Sequence, residues 1–384
     1  MEAYLDNSAT TKCSEKAVEI MNKVLREDYG NPSSMHLKGF EAENYLKKTR
    51  SIIAKSLKVN EKEIIFTSGG TETNNMALIG CATAYHRSGM HIISTPVEHP
   101  SVANALAVLE KIGYEITYLP VDEKGRINLK VLSDEIRPDT TLVSIMHVNN
   151  EIGTIEPIVE AANIIKQKNS TTLLHVDAVQ SFGKIEVFPK KMNIDLLSVS
   201  GHKIHGPKGS GFLYVSDKVK LNPIMLGGGQ EWGLRSGTEN VPAIAGLGVA
   251  VEEIFKNFDK NQKKLYKLRE YLITELSKIE GVSLNGPLDE TGAPHILSMS
   301  VEGVRAEVLL HSLEEKGIFV SAGSACSSNK PAVSKTLTAI GLKKSLLDST
   351  VRFSFSIHTT KEELEYAVKE LKEIIPKLRK YTRH

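Results

Sequence analysis

The sequence predicts an α/β protein with a mainly parallel central sheet and a second, smaller α+β unit. Three observations point there. Short apolar runs alternate with helix-period segments through the first two thirds of the chain, the pattern of strands crossed over by helices. The run Leu142-Val143-Ser144-Ile145-Met146 stays apolar instead of alternating, as a strand covered on both faces does. At 384 residues the chain is longer than one hydrophobic core usually serves.

The apolar runs place strands at 63–68, 91–95, 116–121, 141–148, 172–176, 194–199 and 211–215. Helical periodicity fills 73–84, 101–112 and 157–168 between them. After Pro242 the residues near 243–280 read as one long helix or two in succession. Beyond Gly281 the pattern becomes α+β, with elements at 295–301, 305–316, 318–321, 350–357 and 361–379. This divides the chain into a large domain, 15–255, and a small one made of 1–14 with 256–384.

Composition narrows the function. A formal net charge of +2 gives no broad basic face for nucleic acid and no patch for a membrane surface. The first residues, Met1-Glu2-Ala3-Tyr4-Leu5-Asp6, lack the basic and apolar stretches of a secretion signal. Cys13, Cys81 and Cys326 show no metal-ligand spacing, so no metal and a reducing, cytoplasmic setting are expected.

The chemistry gathers where the expected strands end. Lys203 stands just past one such run, in Ser198-Val199-Ser200-Gly201-His202-Lys203-Ile204-His205-Gly206-Pro207-Lys208-Gly209. A lysine partly desolvated there, beside another cationic group, has its amine pKa lowered, the state that bonds covalently to an aldehyde. Asp177 closes another apolar run, where a buried carboxylate needs a cationic partner such as a protonated ring nitrogen. In Thr67-Ser68-Gly69-Gly70-Thr71-Glu72 a strand meets a helix through two glycines, an anion site of backbone N–H groups and helix dipole. It matches neither the dinucleotide nor the P-loop glycine pattern.

Further along, His99 follows a strand end, placed to stack on a planar ligand or move protons. Asn149, after another strand, can donate to a ring oxygen. The glycine-punctuated loop 227–240 carries Arg235 and Thr238, within reach of a phosphate or a subunit boundary. Cys326 sits among small polar residues in Ser321-Ala322-Gly323-Ser324-Ala325-Cys326-Ser327-Ser328, as an accessible thiol does; Cys13 and Cys81 read as structural. Arg352, alone in Val351-Arg352-Phe353-Ser354, is suited to grip a carboxylate with two parallel bonds.

On these stretches, with Tyr4-Leu5-Asp6-Asn7-Ser8-Ala9-Thr10-Thr11 and Gly30-Asn31-Pro32-Ser33-Ser34-Met35-His36, the chain resembles the cysteine desulfurases of the NifS/IscS type. These are class-V enzymes of the aminotransferase-like fold (fold type I) that depend on pyridoxal 5'-phosphate. The resemblance implies that Lys203 carries the cofactor, Asp177 pairs with its ring nitrogen and Gln180 bonds its ring oxygen. It implies that His99 stacks on the ring and moves protons. Gly70, Thr71, Ser200 and His202 would hold the phosphate, with Thr238 reaching it from the second subunit of a homodimer. Asn149 and Arg352 would position the substrate, L-cysteine.

Cys326 would take the sulfur as a persulfide, leaving L-alanine, and pass it to an acceptor such as an iron–sulfur scaffold or towards tRNA thiolation. Trp232 departs from the pattern, standing where a charged residue, often arginine, is common. The short stretch after the last helix leaves the acceptor open. The rival readings are a selenocysteine lyase, an aminotransferase of the same fold, which has no need of Cys326, and a sulfur-relay subunit without turnover.

Overall fold

A computed structural model describes residues 1–322 and 333–381. Its centre is a seven-stranded sheet in the order Ile64–Thr67, Gly211–Val215, Leu196–Ser200, Leu173–Asp177, Thr140–Met146, His91–Ser94, Glu115–Tyr118. Gly211–Val215 runs antiparallel to both its neighbours, and the other pairings are parallel. The double reversal returns Ile64–Thr67 to the direction of the rest. Six strands therefore deliver their C-terminal ends to one edge, where open α/β sheets bind ligands. The middle strands are buried throughout, as their unbroken apolar runs require.

Helices cover both faces, and apolar clusters fill the space on either side of the sheet. Two helices precede the first sheet strand, and the sequence reading did not place them: Glu15–Arg26, capped by the Ser14 hydroxyl, and Leu37–Leu57, capped by the His36 ring. Both pack on Val241–Lys256, whose buried side includes Ile244, Leu247 and Val251. The stretch 243–280 resolves as two helices, Val241–Lys256 and Phe258–Leu276, broken at Asn257.

Beyond them lies a four-stranded antiparallel sheet ordered Ser321–Ala322, Thr350–Ser354, Ile296–Val301, Val282–Asn285. It packs with Phe258–Leu276 and Lys361–Tyr381 around a separate apolar cluster that also takes in Ala3 and Leu5. The strand Ala3–Tyr4 pairs in parallel with Ile318–Phe319. Asn7 and Ser8 then bond to Ser354 at the end of its strand, leading the N-terminal segment across to the edge of the large sheet. Among the described residues no helix is long and apolar enough to cross a membrane.

Candidate active site

The site is built where those strands end. Leu196–Ser200 runs into a short 3-10 turn, Gly201–Lys203, that turns Lys203 back over the sheet edge. The Lys203 Nζ donates to the carbonyls of Ser8 at 2.6 Å and Ala9 at 2.7 Å. The same N-terminal segment is laced to the turn by Thr11, whose N–H and hydroxyl both donate to the His202 carbonyl. Lys208 lies further out and exposed.

One strand over, Asp177 is buried and its two oxygens are held separately. Oδ2 accepts from Asn74 Nδ2 at 2.8 Å, and Oδ1 accepts from the Val179 N–H at 2.9 Å. Asn74 sits in the first turns of Gly70–Tyr85, the helix that follows the two glycines. Gly69 has φ of +145°, a conformation that favours glycine. At Gly70 a Cβ would come within 3.0 Å of Val179 Cγ2, so the turn is as open as the packing permits.

His99 caps the helix Pro100–Lys111 and accepts the Ser101 N–H on Nδ1 at 3.1 Å, which places the proton of the neutral ring on Nε2. Burial pushes the His99 pKa down and Lys203 adds to this, against the pull of Asp177, so the ring is neutral at neutral pH. His202 is driven down to about 4 by burial and by three neighbouring lysines, Lys203, Lys208 and Lys184. Gln180 Nε2 donates to the Ser8 carbonyl at 3.0 Å. Arg352, from the smaller sheet, donates to the Asn150 carbonyl and the Asp6 carboxylate, each at 2.8 Å.

Lys203, Asp177, His99, Gln180 and Arg352 line one cavity of about 290 Å³, and Gly70, Thr71, Ser200 and His202 belong to the same wall. The structure does not bring Asn149 or Thr238 into it. Asn149 is wholly buried with its amide spent: Nδ2 donates to the Val97 carbonyl, and Oδ1 accepts from the N–H groups of Glu151 and Ile152. The neighbouring Asn150 lines the cavity instead. Thr238 lies exposed on its loop. Cys326 falls outside the described residues.

The sequence reading missed several contributors. Asn74 falls within the helix-period segment 73–84 but was not singled out, and Asp6 and Ser8 are joined to the site only by the fold. Glu98, beside His99, is fully buried, accepting from the Met146 N–H and the Thr95 hydroxyl. Burial, with Asp177 nearby, holds its carboxyl well above the usual range.

The cavity's unspent groups suit pyridoxal phosphate. Ser8 Oγ, Asn74 Oδ1, Gln180 Oε1 and Arg352 Nε are buried without partners, in residues that all line it. Polar atoms so placed are normally satisfied, so they await a polar ligand. The Asp177 carboxylate suits a ring-nitrogen proton, and the Gly70-Thr71 helix start suits a phosphate.

The Aminotransferase class-V family model matches residues 3–367. A cysteine desulfurase IscS from Dictyoglomus turgidum is 45% identical over 379 residues, covering 98% of this chain and 95% of that protein. Among solved structures, a NifS-like protein superposes with a TM-score of 0.92 at 39% identity, over 98% of this chain and all of that one. A structure described as SspA in complex with cysteine gives a TM-score of 0.81 at 35% identity, over 93% of this chain and all of that one. With the fold, the cavity and these likenesses in agreement, the chain belongs to the class-V aminotransferase family, among its pyridoxal-phosphate-dependent cysteine desulfurases of the NifS/IscS type.

Proposed function

We propose that this protein removes sulfur from L-cysteine, releasing L-alanine and holding the sulfur as a persulfide on Cys326. The observation that carries the reading is the meeting of Lys203, Asp177 and Arg352 in one cavity, an amine, a ring-nitrogen partner and a carboxylate grip drawn from two sheets. Bound pyridoxal phosphate supplies an electron sink for the charge left when the substrate Cα loses its proton.

The chain's own groups do the rest. Lys203 would hold the cofactor through its amine, and the same amine would carry a proton to and from the substrate Cα. Asp177, fixed by Asn74, keeps the ring nitrogen protonated. His99, neutral with Nε2–H available, stacks on the ring and moves protons near the substrate sulfur. Gln180 bonds the ring oxygen, and Gly70, Thr71, Ser200 and His202 hold the phosphate. Arg352 orients the substrate through its carboxylate, and Asn149 supports that wall from behind. The Cys326 thiolate attacks the substrate sulfur: an S–S bond forms, the substrate C–S bond breaks and its electron pair returns to carbon, which a proton completes as alanine.

Thr238, exposed on its own subunit, is assigned to the phosphate of the partner site, making the protein a homodimer with shared sites. The assignment extends to two domains, 15–255 and 1–14 with 256–384, a cytoplasmic setting, and onward transfer of the sulfur to an acceptor protein such as an iron–sulfur scaffold.

The test mixes purified holoenzyme with L-cysteine and excess dithiothreitol, which reduces the persulfide to thiol and sulfide, and measures alanine and sulfide together. Equal release of both is expected, abolished by Lys203→Ala and by Cys326→Ala. Full release by the Cys326→Ala variant overturns the persulfide step. Strong preference for selenocysteine over cysteine assigns a selenocysteine lyase instead.

A further inference from the structure

Behind the turn that presents Lys203 lies a second lysine. Lys184 follows Leu173–Asp177 by one short loop, is itself buried, and donates from Nζ to the Lys203 carbonyl at 3.1 Å. The Gln262 side chain holds its backbone carbonyl, tying the loop to the helix Phe258–Leu276. Lys184, Lys203 and His205 line a void of about 10 Å³, room for no more than a single water.

The groups around Lys184 offer it no counter-charge: Lys203 is cationic, while the His202 and His205 rings, both held down to about 4, are neutral at neutral pH. Lys203 and His202 come from the turn and His205 from the segment after it. On the side of the smaller sheet stands His295, wholly buried with neither ring nitrogen bonded, and beyond it act Arg352 and Arg269. Glu253, whose field is felt at His205, pairs with Lys16 instead. Among the described residues no carboxylate forms an ion pair with Lys184. Such a burial of an amine is expensive, and a group retained at that cost beside a reactive lysine has a use.

We infer that Lys184 is a positioning and charge-setting residue for Lys203: its N–H holds the turn by the Lys203 carbonyl, and its ammonium disfavours positive charge on the Lys203 nitrogen. Burial first, and then Lys203, push the Lys184 amine down to about 7, far below the ordinary lysine value. This is the cationic neighbour that a lysine at a strand end needs, and it comes from a different strand's loop. The inference rests on Lys203 carrying pyridoxal phosphate, as proposed above.

The test is a pH titration of the visible absorbance of the holoenzyme without substrate, in wild type, Lys184→Met, Lys184→Gln and Lys184→Arg, each checked for folding by circular dichroism. The Met and Gln variants are expected to move the midpoint upward by about one pH unit, while Arg, which keeps the charge, stays at or below wild type. Gln retains a donor to the Lys203 carbonyl, so a shift shared by Met and Gln reports charge and not loss of the hydrogen bond. Met and Gln midpoints equal to that of wild type overturn the inference. Failure of the reading beneath it looks different: wild type then shows no visible band that Lys203→Ala abolishes.

Discussion

Arg352 Nη2 donates to Asp6 Oδ1 at 2.8 Å, a partly buried ion pair that joins positions 346 residues apart. The turn after Thr140–Met146 of the large sheet adds the Asn150 carbonyl on Nη1, so the guanidinium is held by both Nη atoms with Nε still unspent. Lysine cannot reproduce that fork. Arg352→Lys is expected to lower kcat/KM for L-cysteine about 10- to 100-fold, mainly through KM, the worth of one or two charged hydrogen bonds. Asp6→Asn, which loosens the guanidinium without removing it, has a smaller effect in the same direction. A steady-state KM for Arg352→Lys within error of wild type contradicts the assignment.

Asn74 predicts a defect in holding the cofactor. Its amide fixes one Asp177 oxygen and bonds Ser101 with the same nitrogen. Asn74→Ala leaves the carboxylate in place but free to turn, and pyridoxal phosphate affinity is expected to fall about tenfold, near the net value of one hydrogen bond to a charged group. Equilibrium dialysis of the cofactor checks this, and unchanged affinity refutes it.

The interior histidines predict acid lability. His175 lies between the hydroxyls of Ser144 and Ser198, at 2.8 and 2.9 Å, and burial pushes it down to about 3. His147, also fully buried, is pushed down to about 4. As pH falls below the unfolded value near 6.5, the unfolded chain takes up protons that these rings refuse. Stability is therefore lost on acidification, by about 1.4 kcal/mol per pH unit for each histidine. Glu156, raised to about 8 by burial, works in the opposite sense, holding a proton in the native state between about 4.5 and 8. His205, lowered to about 4, and His295 add to the histidine side. A urea midpoint lower at pH 5 than at pH 7 is expected, and equal midpoints would falsify the balance.

Trp232 and its neighbours predict a large stability effect. Arg50 is clamped between the rings of Phe66 and Trp232, 4.3 and 4.4 Å from their centroids, and meets Glu231 at 2.7 and 3.0 Å. Glu231 and Trp232 both take positive φ, 45° and 57°, to close this clamp. Glu231→Gln leaves the buried Arg50 charge uncompensated, a loss of about 3–5 kcal/mol in denaturant unfolding. Trp232→Ala, removing an exposed face of the stack, is expected to cost about 0.5–1 kcal/mol. A Glu231→Gln variant as stable as wild type rules the clamp out as a stabilising feature.

Much of this was legible before folding, for physical reasons. Strands buried on both faces cannot hide their composition, so Thr140–Met146 and Leu173–Asp177 stood out, and with them the strand ends bearing Asp177 and Lys203. Helices on the outside were harder: Leu37–Leu57 mixes charge and apolar residues along its length and was passed over. Asn149 shows the limit of position as evidence. It follows a strand as expected, yet spends its amide on backbone groups that no sequence pattern reveals. Asp6, Ser8 and Lys184 escaped because their importance lies in what crosses from elsewhere. Trp232, which looked like a departure from pattern, finds its sense only with Arg50 beneath it.

The strap from Asn7 to Ala9 has a consequence in time. Its carbonyls meet Lys203, and its Asn7 and Ser8 groups are pinned by Ser354. The segment is synthesised well over three hundred residues before Ser354 and is fastened only once that strand has been made. Cofactor capture is therefore a late event in the life of each molecule, and a nascent chain stopped short of Ser354 carries the lysine without the clasp that aims it.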